Sequence, residues 1–539
     1  MTRPWWQSAV IYQVYPRSFQ DSDGDGIGDL AGIIGRLDHF ATLGVDAIWL
    51  SPVYPSPMAD FGYDVSDYRG IDPRFGTIED FDRLVGETHA RGLKVLMDFV
   101  PNHSSDQHPW FVASRSSRDD PKRDWYIWAD PATDGGPPNN WISDFGGPAW
   151  EWDEASGQYY AHAFLKEQPD LNWRNPDLRR EMLETLDWWF RRGVDGFRID
   201  VLWHMVKSAE LKDNPPNPDW RPGMADMLRV HQTESTDQPE VHEIAAEMRA
   251  LADRHGDRLL VGEIYLPNDR LMAYYGTRDA PGVHLPFNFA LIEAEWTAPA
   301  LSRIIGDYEA ALPPGGWPNW VLGNHDRPRI ASRVGPAQAR VAAMLLLTLR
   351  GTPTLYQGDE IGLTDVDVPA DRIQDPRELR EPGLGLGRDP VRTPMAWDGS
   401  PNGGFTTGDP WLPLHLDWPS RNVAAQSADP QSMLSLYRRL IALRQIEPAL
   451  SVGAIHLVPA AAPSEGRNGL LGYVRETGGR RVIVLLNLDD AYVHIDLPPW
   501  AKDHKLAATT LSGVPLAAGS TLELRPNEGV VFIPPRDVS

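Results

Sequence analysis

The chain has 539 residues, 42% of them hydrophobic and 23% charged, a composition that excludes general disorder. Its 51 basic and 75 acidic residues leave a formal charge of −24, which offers no footprint for nucleic acid or anionic lipid. No cysteine is present, so disulfides, zinc thiolates and Cys nucleophiles are excluded too.

The opening Met1-Thr2-Arg3-Pro4-Trp5-Trp6 lacks the apolar core of a secretory leader, and no apolar run nears ~20 residues. The expectation is a soluble, cytoplasmic protein without a membrane partner. Residues 9–16, 47–52 and 94–100 read as buried strands. Between them, 30–43 and 78–91 carry apolar residues at helical spacing and run into Gly44 and Gly92, which suit C-caps. Further strands are predicted at 194–201, 258–264, 284–289, 320–323 and 352–356, with helices at 176–192, 241–255 and 336–349. Eight strand–helix units predict an α/β protein of (β/α)8 barrel type rather than an open sheet.

Two stretches interrupt the alternation. Residues 104–173, dense in Trp, Pro, Asp and Gly, predict an irregular subdomain inserted after the third strand, which divides the barrel into 1–103 and 174–455. Residues 361–425 are Pro/Gly/Asp-rich and predict long loops, which at that length are usually functional. A helix at 431–444 would complete the barrel, and short strands at 470–476, 481–488 and 492–497 predict an antiparallel β-domain over 456–539.

In a parallel barrel the strand C-termini build the site. The fourth strand ends Gly196-Phe197-Arg198-Ile199-Asp200, the fifth Leu259-Leu260-Val261-Gly262-Glu263, and the seventh runs into Asn324-His325-Asp326; the third leads to Asn102-His103. Any one of these acids alone could be a helix cap or a loop salt bridge. Several repelling carboxylates in one pocket are costly, and such clusters serve catalysis or bind a cation. Glycoside hydrolysis uses such a set: a nucleophilic carboxylate and a carboxylic acid that protonates the leaving oxygen.

Asp98 with His103, the 196–200 stretch, Val261-Gly262-Glu263 and Asn324-His325-Asp326 resemble, in order, the four signature regions of the α-amylase superfamily, glycoside hydrolase family 13. Gln168-Pro169-Asp170-Leu171-Asn172 and the opening Val10-Ile11-Tyr12-Gln13-Val14-Tyr15-Pro16-Arg17-Ser18-Phe19 are similar to its α-glucosidase and oligo-1,6-glucosidase branch. The resemblance covers almost the whole chain. It implies Asp200 as nucleophile, Glu263 as general acid/base and Asp326 as transition-state stabiliser, with retention of anomeric configuration and carboxyls ~5–5.5 Å apart. Arg198 shares a strand face with Asp200 and is expected to keep it ionised, whereas Glu263 needs a raised pKa.

The resemblance also implies that Tyr63 stacks on the −1 sugar and Asp60 binds its far hydroxyls. His103 and His325 add donors, and Phe145 and Phe164 line the pocket or merely fill core. Arg388, from Gly387-Arg388-Asp389-Pro390-Val391-Arg392-Thr393-Pro394, is expected to pair with Asp60 and close the pocket, giving exo-cleavage. Asp21-Ser22-Asp23-Gly24-Asp25-Gly26-Ile27-Gly28-Asp29 alternates carboxylates with glycines. Gly32 in place of a twelfth-position Glu rejects an EF-hand. In the family this loop holds a structural Ca²⁺ or Mg²⁺ through Asp21, Asp23, Asp25, Asp29 and the Ile27 carbonyl; an acidic turn without metal is the alternative.

Val201 after the nucleophile is the residue of α-1,6-cleaving relatives, while Asp213-Asn214-Pro215-Pro216 resembles maltose-preferring α-glucosidases. These signals conflict, and the sequence assigns no linkage. The expected activity is exo-acting α-glucosidase on short maltose- or isomaltose-type glucosides, with transglucosylation, as a monomer or homodimer. A sucrose or trehalose transglucosylase or isomerase with the same triad is the neighbouring alternative. A non-catalytic carbohydrate-binding protein is a third, opposed by the presence of all three acids.

Overall fold

The computed structural model describes residues 3–458, 468–513, 516–518 and 521–535. Eight parallel strands close into a barrel: β1 (Ile11–Val14), β2 (Ala47–Leu50), β3 (Lys94–Phe99), β4 (Gly196–Ile199), β5 (Leu259–Gly262), β6 (Leu285–Asn288), β7 (Asn319–Val321) and β8 (Thr352–Tyr356). Strand order follows the chain, and β8 pairs with β1 to close the ring. All eight lie within or one residue beside the stretches read as strands, because a strand buried on both faces is a continuous apolar run.

Alternation along these strands sets the floor of the site. Ile11, Leu96 and Val261 belong to a buried cluster with Trp49, Leu285 and Phe287 that plugs the barrel. Two residues further along each strand stand Gln13, Asp98 and Glu263, all buried. The period of two keeps them on the same inward face, one layer nearer the strand C-termini. Polar chemistry therefore begins where the apolar plug stops.

The helices depart from expectation at two breaks. The stretch 30–43 forms two helices, Leu30–Gly35 and Leu37–Leu43, split at Arg36 with φ −113° and ψ 8°. The Arg36 side chain bonds Gln20 Oε1 at 2.7 Å and lies over the Trp397 ring. Gly44 caps the second helix in the left-handed region, φ 90°. The helix Ile330–Thr348 starts earlier than expected and is interrupted at Gly335, φ 79°, just before Pro336. Proline supplies no N–H and restarts a helix at its first turn.

The insertion between β3 and β4 has more regular structure than its composition indicates. It holds a helix, Pro109–Ser116, and a small antiparallel sheet in the order Trp128–Ala129, Gln158–Ala161, Trp150–Asp153. Stacked aromatics hold it together, including Phe111 on Trp128 and Trp141 on Trp150. The segment read as long loops contains the short helix Pro376–Arg380, and a second short helix, Val423–Ala428, straddles its end. Helix Met433–Ile446 packs next to the barrel.

At the C-terminus, antiparallel strands form a five-stranded sheet, Ala454–Val458, Leu470–Thr477, Arg480–Asn487, Gly529–Ile533, Lys505–Thr509, and a three-stranded one. The strand Ala454–Val458 already belongs to that sheet, so the β-domain begins inside the last residues assigned to the barrel.

Candidate active site

The mouth of the barrel opens into a cavity of about 580 Å³, within the range that accepts a small ligand. Asp60, Tyr63, His103, Phe145, Phe164, Asp200, Val201, Glu263, His325, Asp326 and Arg388 all line it. Arg198 lies just beneath, fully buried.

Arg198 is the hub. Its Nη1 donates to Asp98 Oδ1 at 2.8 Å and to Asp200 Oδ1 at 2.7 Å, while Nη2 meets Glu263 Oε2 at 2.6 Å. Register explains the first contact, since Asp98 on β3 lies beside Arg198 on β4. The guanidinium is thus divided among three acids rather than reserved for Asp200. Burial pushes Asp200 well up from the usual carboxylate range and Asp98 up to about 7, against the pull of Arg198. One cation facing three buried carboxylates makes this cluster take up protons more readily than free carboxylates do. Glu263 is raised by burial, with Asp326 adding and Arg198 opposing, which is what a general acid needs. Glu263 Oε2 also accepts the Val201 N–H at 2.9 Å. To aim that N–H, Val201 adopts φ 35°, a left-handed conformation that is strained for a β-branched residue.

Asp326 behaves oppositely. Burial would raise it, but His325, Arg392 at 2.8 Å and Arg388 at 3.5 Å hold it well below the ordinary carboxylate range. It stays ionised, ready to face positive charge developing on a sugar. Tyr63 and His325 stack with ring centroids 5.4 Å apart and an interplanar angle of 4°. The Tyr63 hydroxyl lies 2.7 Å from His325 Nε2 and donates to Asp98 Oδ2 at 3.1 Å. Burial lowers His103 to about 4, so it is neutral at pH 7. Asn102 Nδ2 lies 3.1 Å from its Nδ1. With that nitrogen as acceptor, Nε2 carries the proton and faces the Tyr63 carbonyl at 3.0 Å. Lys207, buried against Asp170 at 3.1 Å, bonds the Asn102 oxygen and anchors this arrangement to the inserted subdomain.

Asp60 meets Arg388 Nη2 at 2.6 Å. Asp375 grips the same guanidinium, 2.7 Å from Nη2, and Phe145 packs 4.9 Å from it. Phe164 sits edge-on to Phe145 and 5.2 Å from His103, so both phenylalanines face the cavity. Asp375 and Arg392 were not singled out by sequence reasoning. Arg392 was legible inside the 387–394 motif; Asp375, in a loop without a motif, carried no signal.

Away from the cavity, Asp21, Asp23 and Asp29 bring carboxylate oxygens within 4.8 Å of one another. Asp25 falls outside that group, its Oδ1 accepting the Ile27 N–H at 2.8 Å. Asp21 accepts three backbone N–H groups of the loop, and Asp29 accepts from Ser22 and Gly32.

An eight-stranded parallel barrel whose mouth gathers a buried acid of raised pKa, a second carboxylate on the same guanidinium and an aromatic-rimmed cavity is the framework of a glycoside hydrolase. Comparison with known proteins agrees. Residues 13–453 match the family model described as alpha amylase, catalytic domain. The chain is 43% identical over 511 residues to the probable alpha-glucosidase of Rhizobium meliloti, covering 92% of this chain and 91% of that one. It is 40% identical to the oligo-1,6-glucosidase of Parageobacillus thermoglucosidasius, covering 92% and 93%. Among solved structures, the alpha-glucosyl transfer enzyme XgtA superposes with a TM-score of 0.93 at 39% identity, covering 99% of this chain and 100% of that one. The protein belongs to the α-amylase family, glycoside hydrolase family 13.

Proposed function

We propose that this protein is a retaining, exo-acting α-glucosidase that releases glucose from the non-reducing end of short α-glucosides and also transfers it to other sugars. One observation carries the reading: the Asp60–Arg388–Asp375 ion-pair group is built into the cavity wall beside Asp326, 3.5 Å from Arg388, where it would close the pocket behind the non-reducing end of a sugar seated beside Asp200. Asp200 attacks the anomeric carbon while Glu263 protonates the departing oxygen; the resulting glucosyl ester is then opened by water, or by a sugar hydroxyl, with Glu263 now accepting the proton. The names of the relatives, an α-glucosidase and an α-glucosyl transfer enzyme, support both outcomes. The test is hydrolysis of maltose or p-nitrophenyl α-glucoside followed at once by proton NMR. α-Glucose is the expected first product; β-glucose as first product, or oligosaccharide release from the chain interior, overturns the reading.

The 21–29 loop fits a hard divalent cation of structural role, Ca²⁺ or Mg²⁺. The fit rests on its donors: carboxylate oxygens of Asp21, Asp23 and Asp29 within 4.8 Å of one another, the hard ligands such a cation takes. Because the loop lies apart from the acids, the cation acts on stability. A ligand present at ~100 times its Kd stabilises by about 2.7 kcal/mol. Millimolar Ca²⁺ added to chelator-treated protein is therefore expected to raise Tm by a few degrees. Identical melting curves with and without either cation would remove the proposal.

A further inference from the structure

One wall of the cavity belongs to none of the catalytic acids. Asp144, Met227, Gln232 and Arg377 line it, and they come from three segments outside the barrel: the inserted subdomain, the stretch after β4, and the late loop region. These segments are tied together behind the wall. Arg380 donates to the carbonyls of Phe145 and Gly146, Glu381 accepts the Asp226 N–H at 2.8 Å, and Gly147 N–H reaches Asp226. Gln232 Nε2 donates to Asp144 Oδ1 at 2.7 Å and fixes the carboxylate plane.

The other oxygen is differently placed. Asp144 Oδ2 stands 3.5 Å from His204 Nε2, too far for a hydrogen bond, and the side chain keeps 13% of its surface open. His204 is buried, and neither ring nitrogen has a partner. That burial holds the imidazole neutral, so it does not balance the carboxylate. Burial pushes the Asp144 carboxyl up to about 6, against the pull of the Gln232 hydrogen bond and of the Arg377 and Lys207 cations, so it is ionised at pH 7. A negatively charged acceptor with a spare oxygen, in a partly enclosed wall, is built for hydroxyl donors.

Position decides which sugar. His204 lies in the turn that follows Asp200 and Val201, its N–H bonded to the Val201 carbonyl at 2.8 Å. Val201 also touches Glu263, the group that protonates the leaving oxygen. Asp144, beside His204, therefore lines the wall between the Val201–Glu263 pair and Arg388, on whose guanidinium its neighbour Phe145 packs. We propose that Asp144, oriented by Gln232, selects polyhydroxylated leaving groups by accepting hydrogen bonds from their hydroxyls. This deepens the α-glucosidase reading and rests on it.

The test compares two leaving groups. Maltose releases a sugar rich in hydroxyl donors; p-nitrophenyl α-glucoside releases a phenol with none besides the reacting oxygen. The measured quantity is kcat/KM for maltose divided by kcat/KM for the aryl glucoside. Hydrogen bonds to charged groups contribute ~1.5–3 kcal/mol, or roughly 10- to 100-fold. Asp144→Ala and Asp144→Asn are each expected to lower the ratio at least tenfold, and Gln232→Leu to lower it by a smaller factor. An unchanged ratio in both Asp144 variants, whether both substrates suffer equally or neither suffers, overturns the proposal. Wild-type protein that cleaves neither substrate would instead overturn the α-glucosidase reading beneath it.

Discussion

Asp200→Asn is expected to lower kcat/KM for every α-glucoside by roughly 10⁴-fold or more, the scale seen when a covalent nucleophile or its partner is removed. The amide is close in shape, so the loss reports chemistry rather than packing. Folding should survive, since Arg198 still has Asp98 and Glu263 as partners. The companion variant Asp200→Gly opens room for a small anion. Supplied with azide and an activated glucoside, it should form β-glucosyl azide, because the anion attacks from the face Asp200 occupied. Residual wild-type-like turnover in Asp200→Asn, or α-glucosyl azide from Asp200→Gly, would assign the nucleophile elsewhere.

Glu263→Gln should separate the two chemical steps. For maltose, whose leaving oxygen needs a proton, loss of the general acid costs roughly 10²- to 10⁴-fold. p-Nitrophenolate leaves without help, so the first step survives there while the second, which needs Glu263 as base, slows. A burst of about one p-nitrophenol per site followed by slow turnover is the expected trace. The pH profile should change with it. In the wild type, activity falls as pH rises through the raised pKa of Glu263, and falls on the acid side as the nucleophile Asp200 takes up a proton. The variant loses the alkaline limb for aryl glucosides, because no acid remains to deprotonate. An unchanged bell with no burst would place the general acid on another residue.

Both predictions concern residues that stand in short motifs at strand ends, and that is why they were readable. A strand buried on both faces must be apolar, so the first charged residue after it marks the mouth of the barrel; Asp200 and Glu263 follow such runs directly. Gln13 and Asp98, by contrast, sit within the apolar runs and reveal their inward direction only once the barrel closes. The helix break at Arg36 leaves no mark in the helical pattern, and the partners of its side chain, Gln20 and Trp397, lie outside that pattern. In the inserted subdomain, stacked aromatics replaced amphipathic periodicity as the organising force, so a helix and a sheet passed for irregular chain.

By itself the sequence determined the barrel and the acids at its strand ends, since each follows from local runs of apolar residues and the polar positions that end them. Tertiary structure alone decided how charge is shared: Arg198 among three carboxylates, Arg388 between Asp60 and Asp375, Arg392 on Asp326, and Gln232 on Asp144. Local patterning fixes which face a side chain takes, but Coulomb energy depends on distances of a few ångströms between groups far apart in the chain. Those distances exist only after the sheet has closed and the loops above it have met.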